Sequence, residues 1–290
     1  MRLVTFLRHD QEYIGVQLDS HILDLSRLSA AIPMDMKAFL SLGETALTEV
    51  RHTLASIQRS WLIPENDLTL LAPIPRPDKI LCIGHNYSGH IGIGNTELPE
   101  YPNWFCKTLN TIIGHSQPIV IPPATVQVDF EAELMAVIGK HTRNVSESQA
   151  QACIAGYTIF NDVSARDYQK RTNQWMLGKS FDTFGPMGPA LVTPDEVPDP
   201  YNLDLELTVN GIPQQHINTR HLIFSVPRLI SYISQVMTLE VGDVIATGTP
   251  AKLPEAAGQL RFLQPGDLVE ITIEKLGTLR NPVVAETMRP

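Results

Sequence analysis

The stretch of sequence that constrains this fold most strongly reads Val128-Asp129-Phe130-Glu131-Ala132-Glu133-Leu134. In a β-strand, alternate side chains lie on the same face, so Asp129, Glu131 and Glu133 are expected to project together. Neighbouring carboxylates repel one another, and no basic residue lies close by in the sequence to relieve that repulsion. A bound hard cation would relieve it, and a set of oxygen ligands favours Mg²⁺, Mn²⁺ or Ca²⁺ over zinc or copper.

A solvated acidic edge of a sheet is the alternative interpretation of this stretch. Two observations weigh against it. Residues 134–138 are apolar, which is typical of a central strand. A third acid, Asp162, ends another apolar segment at residues 154–162. We therefore predict that Glu131, Glu133 and Asp162 converge on one cation.

Composition and charge restrict the class of protein. The chain has 290 residues, which suits one large domain together with a small one. A formal net charge of −9 argues against a nucleic-acid-binding surface and against an anionic membrane surface. No apolar run approaches the roughly 18 residues of a membrane span. Residues 1–15 turn polar too early for a signal peptide.

The three cysteines are odd in number and show no CxxC spacing. A disulfide framework and a zinc site are therefore not expected. A reducing cytoplasm is the predicted location, because free thiols persist there.

The N-terminal region carries the pattern of a small α/β unit. Residues 1–7 and 12–18 are predicted as short strands. Residues 36–59 have apolar positions at helical spacing, which Gly43 interrupts.

Three prolines within residues 71–78 exclude a helix or a central strand there. We therefore expect a small N-terminal α/β domain over residues 1–72 and a larger domain over residues 73–290. The larger domain is predicted to be strand-dominated, so the fold class is α+β. Its predicted elements are strands at 79–83, 128–140 and 154–162, a capping box at 146–149, a hairpin turning at Asn210-Gly211 and a helix from Ser225.

Five motifs occur in order along the larger domain. They are Gly84-His85-Asn86-Tyr87 with His90, Asp129-Phe130-Glu131-Ala132-Glu133-Leu134, Asn161-Asp162-Val163-Ser164-Ala165-Arg166-Asp167-Tyr168-Gln169, Gly178-Lys179-Ser180-Phe181-Asp182, and Thr247-Gly248-Thr249-Pro250. Together they resemble the fumarylacetoacetate hydrolase family over roughly residues 75–285. The resemblance implies a mixed β-roll catalytic domain, usually dimeric, with Mg²⁺ or Mn²⁺ held by Glu131, Glu133 and Asp162. Family activities include hydrolysis of acylpyruvates and other diketo acids, decarboxylation of oxo acids and isomerisation of unsaturated oxo diacids.

The implied substrate is a small 2-oxo acid, whose carboxylate and keto oxygens can chelate one metal that then stabilises an enolate. By resemblance, Lys179 assists at the enolate or at the substrate carboxylate, unless it is an ordinary surface lysine. Arg166 and Gln169 match substrate-binding positions, although Arg166 could instead pair with Asp167 or Asp182. Thr249 also matches a substrate-binding position, and its alternative is an ordinary turn residue.

His90 is the predicted general base. In similar enzymes a histidine in a mobile lid activates water, and a glutamate three residues later orients it. This chain has Ile93 at that position, and Glu97 is the nearest later acid. The usual water-activating pair is therefore in doubt. His85 is a further basic group near the site, and a structural role at a strand end is favoured for it.

Three functions follow from these motifs. The first is hydrolysis of a C–C bond in a 2,4-dioxo acid. The second is decarboxylation or tautomerisation of an oxo acid at the same site, which Ile93 favours because those reactions need no activated water. The third is a binding or scaffold protein that has lost catalysis. The sequence does not name the oxo acid or the role of the N-terminal domain.

Overall fold

The structure, a computed structural model, describes residues 1–29, 31–54, 56–88, 98–254 and 261–287. Its strands are β1 (Arg2–Arg8), β2 (Gln11–Leu18), β3 (His21–Asp24), β4 (Leu62–Pro64), β5 (Thr69–Leu70), β6 (Ile80–Gly84), β7 (Asn103–Lys107), β8 (Ile112–Ile113), β9 (Ile119–Ile121), β10 (Val128–Asp129), β11 (Ala132–Ile138), β12 (Ile154–Asn161), β13 (Ser164–Ala165), β14 (Gly185–Val192), β15 (Asp204–Val209), β16 (Ile212–Asn218), β17 (Val244–Ala246), β18 (Leu268–Ile273) and β19 (Gly277–Ala285). Its α-helices are α1 (Met36–Ser41), α2 (Glu44–Leu54), α3 (Glu147–Ala150), α4 (Arg166–Gln169), α5 (Met176–Lys179) and α6 (Val226–Ser234). Short 3-10 helices lie at Leu25–Arg27, Arg59–Trp61, Glu65–Asp67, Leu109–Thr111, Gln151–Cys153 and Thr219–His221. The predicted strand-dominated α+β class is confirmed.

Most strands belong to one large sheet. Twelve strands form it in the order β4-β3-β2-β1-β14-β12-β11-β17-β6-β7, with β5 beside β1 and β8 beside β14. Strand pairs are antiparallel except β17 with β6 and β14 with β8. The central strands β11, β12 and β14 are buried along their whole length, as expected where both faces of a sheet are covered.

A second sheet has the order β16-β15-β18-β19-β9. Inward residues of β18, such as Ile271, alternate with more exposed ones along the strand, as its pattern predicts. Ile271 joins Leu134 and Ile159 of the large sheet and Leu229 of α6 in one core cluster. The two sheets and α6 therefore enclose a shared core beside the ends of β11 and β12.

The N-terminal strands extend the large sheet. Arg2 pairs with Val192 and Leu3 with Leu191, so β1 lies directly beside β14. Phe39 of α1 packs in the same core cluster as residues of β11. The predicted division at residues 72 and 73 is thus not a break in the sheet, although residues 71–78 contain no helix or strand, as their prolines predicted.

The prediction of one continuous strand over residues 128–140 is wrong. The chain forms β10 at Val128–Asp129, leaves the strand conformation at Phe130 and Glu131, and re-enters it as β11. β10 pairs with β13, whereas β11 pairs with β12 and β17. At the break, side-chain amides take the backbone donors: Glu131 N–H donates to Asn161 Oδ1 and Ala132 N–H donates to Gln215 Oε1.

Local sequence signals are confirmed where the chain turns. The hairpin between β15 and β16 turns through Asn210 and Gly211, which have φ values of 54° and 75°. Ser146 forms the predicted capping box with Gln149, and Ser225 caps α6.

The cysteines Cys82, Cys106 and Cys153 are all free. No helix in the described ranges is long and apolar enough to cross a membrane.

Asn86 ties the segment after β6 to two other parts of the fold. It is fully buried, and its Nδ2 donates to the carbonyls of Phe224 at 3.1 Å and Thr247 at 2.8 Å. Its Oδ1 accepts from the N–H of Phe224 at 2.7 Å. Thr247 leads into Gly248, whose N–H supports Glu133. Asn86 therefore braces one wall of the carboxylate site.

We expect Asn86→Ala to lower the free energy of unfolding by about 3 kcal/mol, because three buried backbone groups lose their partners. Urea denaturation would measure the change. Asn66→Ala, at an exposed position, should leave stability nearly unchanged. Equal stability of both variants would contradict the bracing role.

Candidate active site

Three buried carboxylates lie together where β11 and β12 meet. Asn161, the last residue of β12, pairs with Ala132, the first of β11. Asp162 N–H donates to Glu131 O at 2.9 Å, and Glu131 N–H donates to Asn161 Oδ1 at 3.0 Å. These bonds hold the two acids side by side, and Glu133 follows on β11. One carboxylate oxygen from each of Glu131, Glu133 and Asp162 lies within 4.8 Å of the others.

Lysines from distant parts of the chain neutralise two of these acids. Lys179 Nζ donates to Glu131 Oε2 and to Asp162 Oδ2, both at 2.6 Å. Lys107 Nζ donates to Asp162 Oδ1 at 2.6 Å and to Val163 O at 3.0 Å. Part of the repulsion between the acids is therefore relieved by lysines that are distant from them in the sequence. Sequence reasoning missed the part played by Lys107, and its only signal was a lysine at the end of an otherwise uncharged strand.

Glu133 is the acid without a cationic partner. It is 1% exposed, and its Oε2 accepts the Gly248 N–H at 2.7 Å. No cation among the described residues lies within 4.0 Å of its carboxylate. Burial, followed by the charges of Asp162 and Glu131, holds the pKa of Glu133 well above its ordinary value.

Glu131 and Lys179 stabilise each other as ions. Burial alone would raise the pKa of Glu131, but Arg166 and Lys179 outweigh it and the pKa is lowered. Burial would likewise lower the pKa of Lys179, but Asp162 and Glu131 outweigh it and the pKa is raised. Lys179 is therefore an ammonium at neutral pH, although it is only 2% exposed.

Arg166 links the acidic cluster to a second ion-pair group. Its guanidinium pairs with Glu131 Oε1 at 2.6 Å and with Asp129 Oδ2 at 2.9 Å, and it donates to Gln169 Oε1 at 2.9 Å. Lys252 Nζ holds the other oxygen of Asp129 at 2.6 Å. Asp129 is therefore paired with two cations and is not one of the three converging acids, although it lines the same cavity as Glu131 and Glu133.

The alternative partners suggested for Arg166 are engaged elsewhere. Asp167 accepts a hydrogen bond from Thr125 Oγ1, and Asp182 accepts one from Asn110 Nδ2. Arg166 therefore belongs to the site and not to a local surface pair.

Gly178 lets α5 approach α4 closely enough to deliver Lys179. A methyl group at Gly178 would lie 2.5 Å from Gln169 N and 2.7 Å from Gln169 Cα. Any side chain there would push the two helices apart. The glycine of the Gly178-Lys179 motif thus sets the position of the lysine ammonium.

Thr249 lies in a braced turn next to the carboxylates. Its hydroxyl accepts from Gln215 Nε2 at 2.9 Å, and Gln215 Oε1 accepts the Ala132 N–H at 3.0 Å. Gly248, with φ of 97°, precedes it. Sequence reasoning missed Gln215, since a polar residue in a hairpin strand gives no sign of being buried.

A cavity of about 760 Å³ opens onto this group. Its wall includes the predicted site residues Glu131, Glu133, Arg166, Gln169, Lys179 and Thr249. His85 also lines it, with its ring edge-on to Trp175 at 5.4 Å between centroids. The volume falls in the range typical of small-molecule sites.

His90, Ile93 and Glu97 lie outside the described residues. The role of His90 as general base therefore stays a prediction, as does the consequence of isoleucine at position 93.

The donor set fits a hard divalent cation. Two oxygens bound to one such ion at about 2.0–2.6 Å lie at most about 5 Å apart, and the three carboxylates meet that limit. Glu133, buried without a cationic partner in the described structure, is the acid whose charge such an ion would compensate. Lys179 holds Asp162 Oδ2, so this ammonium has to move slightly if that oxygen becomes a ligand.

We expect Mn²⁺ binding to weaken as the pH falls, and this weakening should begin above the ordinary carboxylate pKa. The reason is that Glu133, whose pKa is raised, must lose its proton to bind a cation. Titration calorimetry at several pH values would measure it. Glu133→Gln should bind Mn²⁺ more weakly and with less pH dependence, whereas an unaltered pH profile would exclude Glu133 as a ligand.

Comparison with known proteins agrees with this geometry. Residues 79–284 match the family described as fumarylacetoacetate (FAA) hydrolase C-terminal. The protein named oxaloacetate tautomerase Fahd2a, mitochondrial, from Rattus norvegicus is 43% identical over 289 residues, which cover 98% of this chain and 92% of the relative.

Solved structures match over nearly the whole chain. Maleylpyruvate hydrolase from Sphingobium sp. SYK-6, in complex with manganese(II) ion and pyruvate, is 32% identical with a TM-score of 0.83, covering 99% of this chain and 100% of that one. The 2-hydroxyhepta-2,4-diene-1,7-dioate isomerase from Mycobacterium marinum is 36% identical with a TM-score of 0.77 and the same coverage. The manganese-bound structure and the buried acidic triad support binding of a divalent metal. The chain is therefore an enzyme of the fumarylacetoacetate hydrolase family, as its five motifs predicted.

Proposed function

We propose that this enzyme interconverts the enol and keto forms of oxaloacetate or a closely similar 2-oxo acid. The observation that carries the proposal is the buried Lys179 ammonium, held against Glu131 and Asp162 beside the cavity. Its third N–H remains to donate a hydrogen bond to an enolate oxygen. Among reactions that pass through an enolate, the 43% identity to a protein named oxaloacetate tautomerase favours tautomerisation.

The reaction moves one proton between the C2 oxygen and C3 of the substrate. In the enol-to-keto direction the C2 hydroxyl loses a proton and C3 gains one. The Lys179 ammonium can donate a hydrogen bond to the C2 oxygen while that oxygen carries negative charge, and it is already oriented by two carboxylates. His90 is the proposed group for the proton at C3.

Metal and substrate contacts complete the proposal. Glu131, Glu133 and Asp162 would hold Mg²⁺ or Mn²⁺, with Ca²⁺ as a further candidate, and the ion would add positive charge near the same oxygen. Arg166, Gln169 and Thr249 line the cavity and are proposed to orient the oxo acid. Arg166 already pairs with two acids, so its contribution to the substrate is a remaining N–H donor and not an uncompensated charge.

Hydrolysis of a C–C bond, the first function expected from the motifs, is the second candidate. The solved maleylpyruvate hydrolase with manganese and pyruvate supports it, since that structure matches this chain at a TM-score of 0.83. Hydrolysis needs an activated water in addition to the enolate. Ile93 stands where similar enzymes have the acid that orients the water-activating histidine, so tautomerisation is favoured.

Two further proposals concern the setting of the enzyme. We propose a homodimer, as usual for the family, and a cytoplasmic location from the free cysteines. The rat relative carries the word mitochondrial in its name, so the location of this chain has to be measured separately. Light scattering of the purified protein would measure its oligomeric state.

We expect Lys179→Met to lower kcat for oxaloacetate tautomerisation by about 10²–10³-fold, the usual effect of losing a donor to an oxyanion. Ultraviolet absorbance of the enol would follow the reaction. Mn²⁺ binding should persist in this variant, because lysine is not a ligand. Lys140→Met, which removes an exposed lysine away from the cavity, is the matched control. A Lys179→Met enzyme with wild-type kcat would overturn the proposed mechanism.

We expect the identity of residue 93 to affect the rate of hydrolysis more than the rate of tautomerisation. A general base typically contributes roughly 10²–10⁴-fold, so we expect tautomerase activity to exceed acylpyruvate hydrolysis in the wild type. Ile93→Glu should raise hydrolysis about tenfold or more, because a carboxylate stabilises the imidazolium of His90. Ile93→Leu is the control. Robust wild-type hydrolysis that His90→Ala abolishes and Ile93→Glu leaves unchanged would contradict this expectation.

A further inference from the structure

Lys170 occupies a position on the cavity wall that the proposed reaction has not used. It is the first residue after α4, and its N–H donates to Arg166 O at 3.2 Å. Residues four apart on a helix have Cβ atoms about 5–6 Å apart on one face. Lys170 therefore lies beside Arg166, is exposed, and lines the same cavity as Arg166.

Among the described residues, the ammonium of Lys170 has no acidic partner, unlike the other lysine and arginine cations of this wall. Arg166 and Lys179 are each paired with two carboxylates. Within the described ranges, Lys170 makes no ion pair and no side-chain hydrogen bond. Asn173, with an amide that can add a hydrogen-bond donor, lines the cavity close by in the sequence. The next residue along the chain, Arg171, is held over the Tyr168 ring at 3.5 Å and is not part of the wall.

Charge balance indicates which ligand such a cation would take. In the described part of the site, the acids Asp129, Glu131, Glu133 and Asp162 face the cations Lys107, Arg166, Lys179 and Lys252. The formal charges of this group cancel. A divalent cation and Lys170 together then bring three uncompensated positive charges to the cavity. A dianionic substrate compensates two of them, and a monoanionic substrate compensates one.

We propose that Lys170 is a specificity-determining residue that binds the second carboxylate of a dianionic 2-oxo acid. The 2-oxo acid end lies at the acidic triad and Lys179. The distal carboxylate, two carbons away in oxaloacetate, lies along the Arg166–Lys170 wall. This inference rests on the proposed function and deepens it, because it selects dicarboxylates over monocarboxylic oxo acids of the same length.

The test compares oxaloacetate with its 4-methyl ester, which keeps the 2-oxo acid end and loses only the distal charge. Binding to the Mg²⁺-loaded protein would be measured by calorimetry, and tautomerisation by absorbance. Lys170→Met should weaken oxaloacetate binding about tenfold, the effect of one charge-assisted hydrogen bond near solvent. Binding of the ester should not change. Lys170→Arg should restore most of the loss, and Lys140→Met should behave as wild type for both ligands.

A selective loss for oxaloacetate supports the subsite. Loss of affinity for both ligands to the same extent, or for neither, overturns it. Failure of the wild type to tautomerise oxaloacetate would contradict the proposed function separately, and the binding comparison would still decide the role of Lys170.

Discussion

Asp162 is fully buried, and each of its carboxylate oxygens accepts a hydrogen bond from a lysine ammonium. Lys107 donates to Oδ1 and Lys179 donates to Oδ2. Placing three charges in the interior costs desolvation energy, which their mutual attraction and the extra bond from Lys107 to Val163 O offset. Removing one partner of such a group typically costs about 3–5 kcal/mol, because the remaining charges are left uncompensated. The group joins β7, the end of β12 and α5. The fold therefore depends on the same ions that form the site.

The cations of the protein are distributed unevenly around Glu131, Glu133 and Asp162. Glu131 and Asp162 are paired with cations of the protein itself, whereas within the described ranges Glu133 has the Gly248 N–H and no ion pair. A proton or a bound cation at Glu133 would compensate its charge. Two of the three acids are thus held in place by lysines and Arg166 of this chain, and the position of Lys179 is set by Gly178 and α5.

Much of the fold follows from short-range signals. The Asn210-Gly211 turn, the capping box at Ser146 and the cap at Ser225 were predictable because each depends on neighbouring residues. The acids of the site were found because two of them alternate on a predicted strand and a third ends another. The contacts that organise them were not predictable. Lys107, Gln215 and Gly248 reach the acids through tertiary pairing of β7, β16 and the segment after β17, which a linear pattern does not encode.

Two further differences between the predicted and the observed structure also arise from tertiary contacts. The pattern over residues 128–140 predicted one strand, but β10 pairs with β13 whereas β11 pairs with β12 and β17. Between them, the side-chain amides of Asn161 and Gln215 accept the N–H groups of Glu131 and Ala132. The prolines of residues 71–78 do mark a segment without regular structure, yet β1 crosses that division by pairing with β14. The periodicity of apolar residues and the positions of prolines predict local backbone conformation. The pairing of strands depends instead on tertiary packing. Gly84 illustrates what the sequence does not encode. Its motif was recognisable in the sequence, but only the tertiary structure shows that a Cβ atom at Gly84 would lie 2.4 Å from the Trp175 ring.

The ionic groups to which we assign enolate stabilisation lie on or beside paired strands and packed helices. The acids and lysines sit on or directly beside β7, β11, β12 and α5, which are paired or packed along their length. Relatives named as a hydrolase and as an isomerase share this framework, with TM-scores of 0.83 and 0.77. The shared fold therefore does not determine which of these reactions an enzyme catalyses. The proposed reaction needs a second group acting at C3 or beyond in addition to the buried ions, and Lys170 and Asn173 are exposed residues of the same cavity wall. We expect differences in activity within this framework to arise from such exposed residues, because changing the buried ion pairs would also weaken the fold.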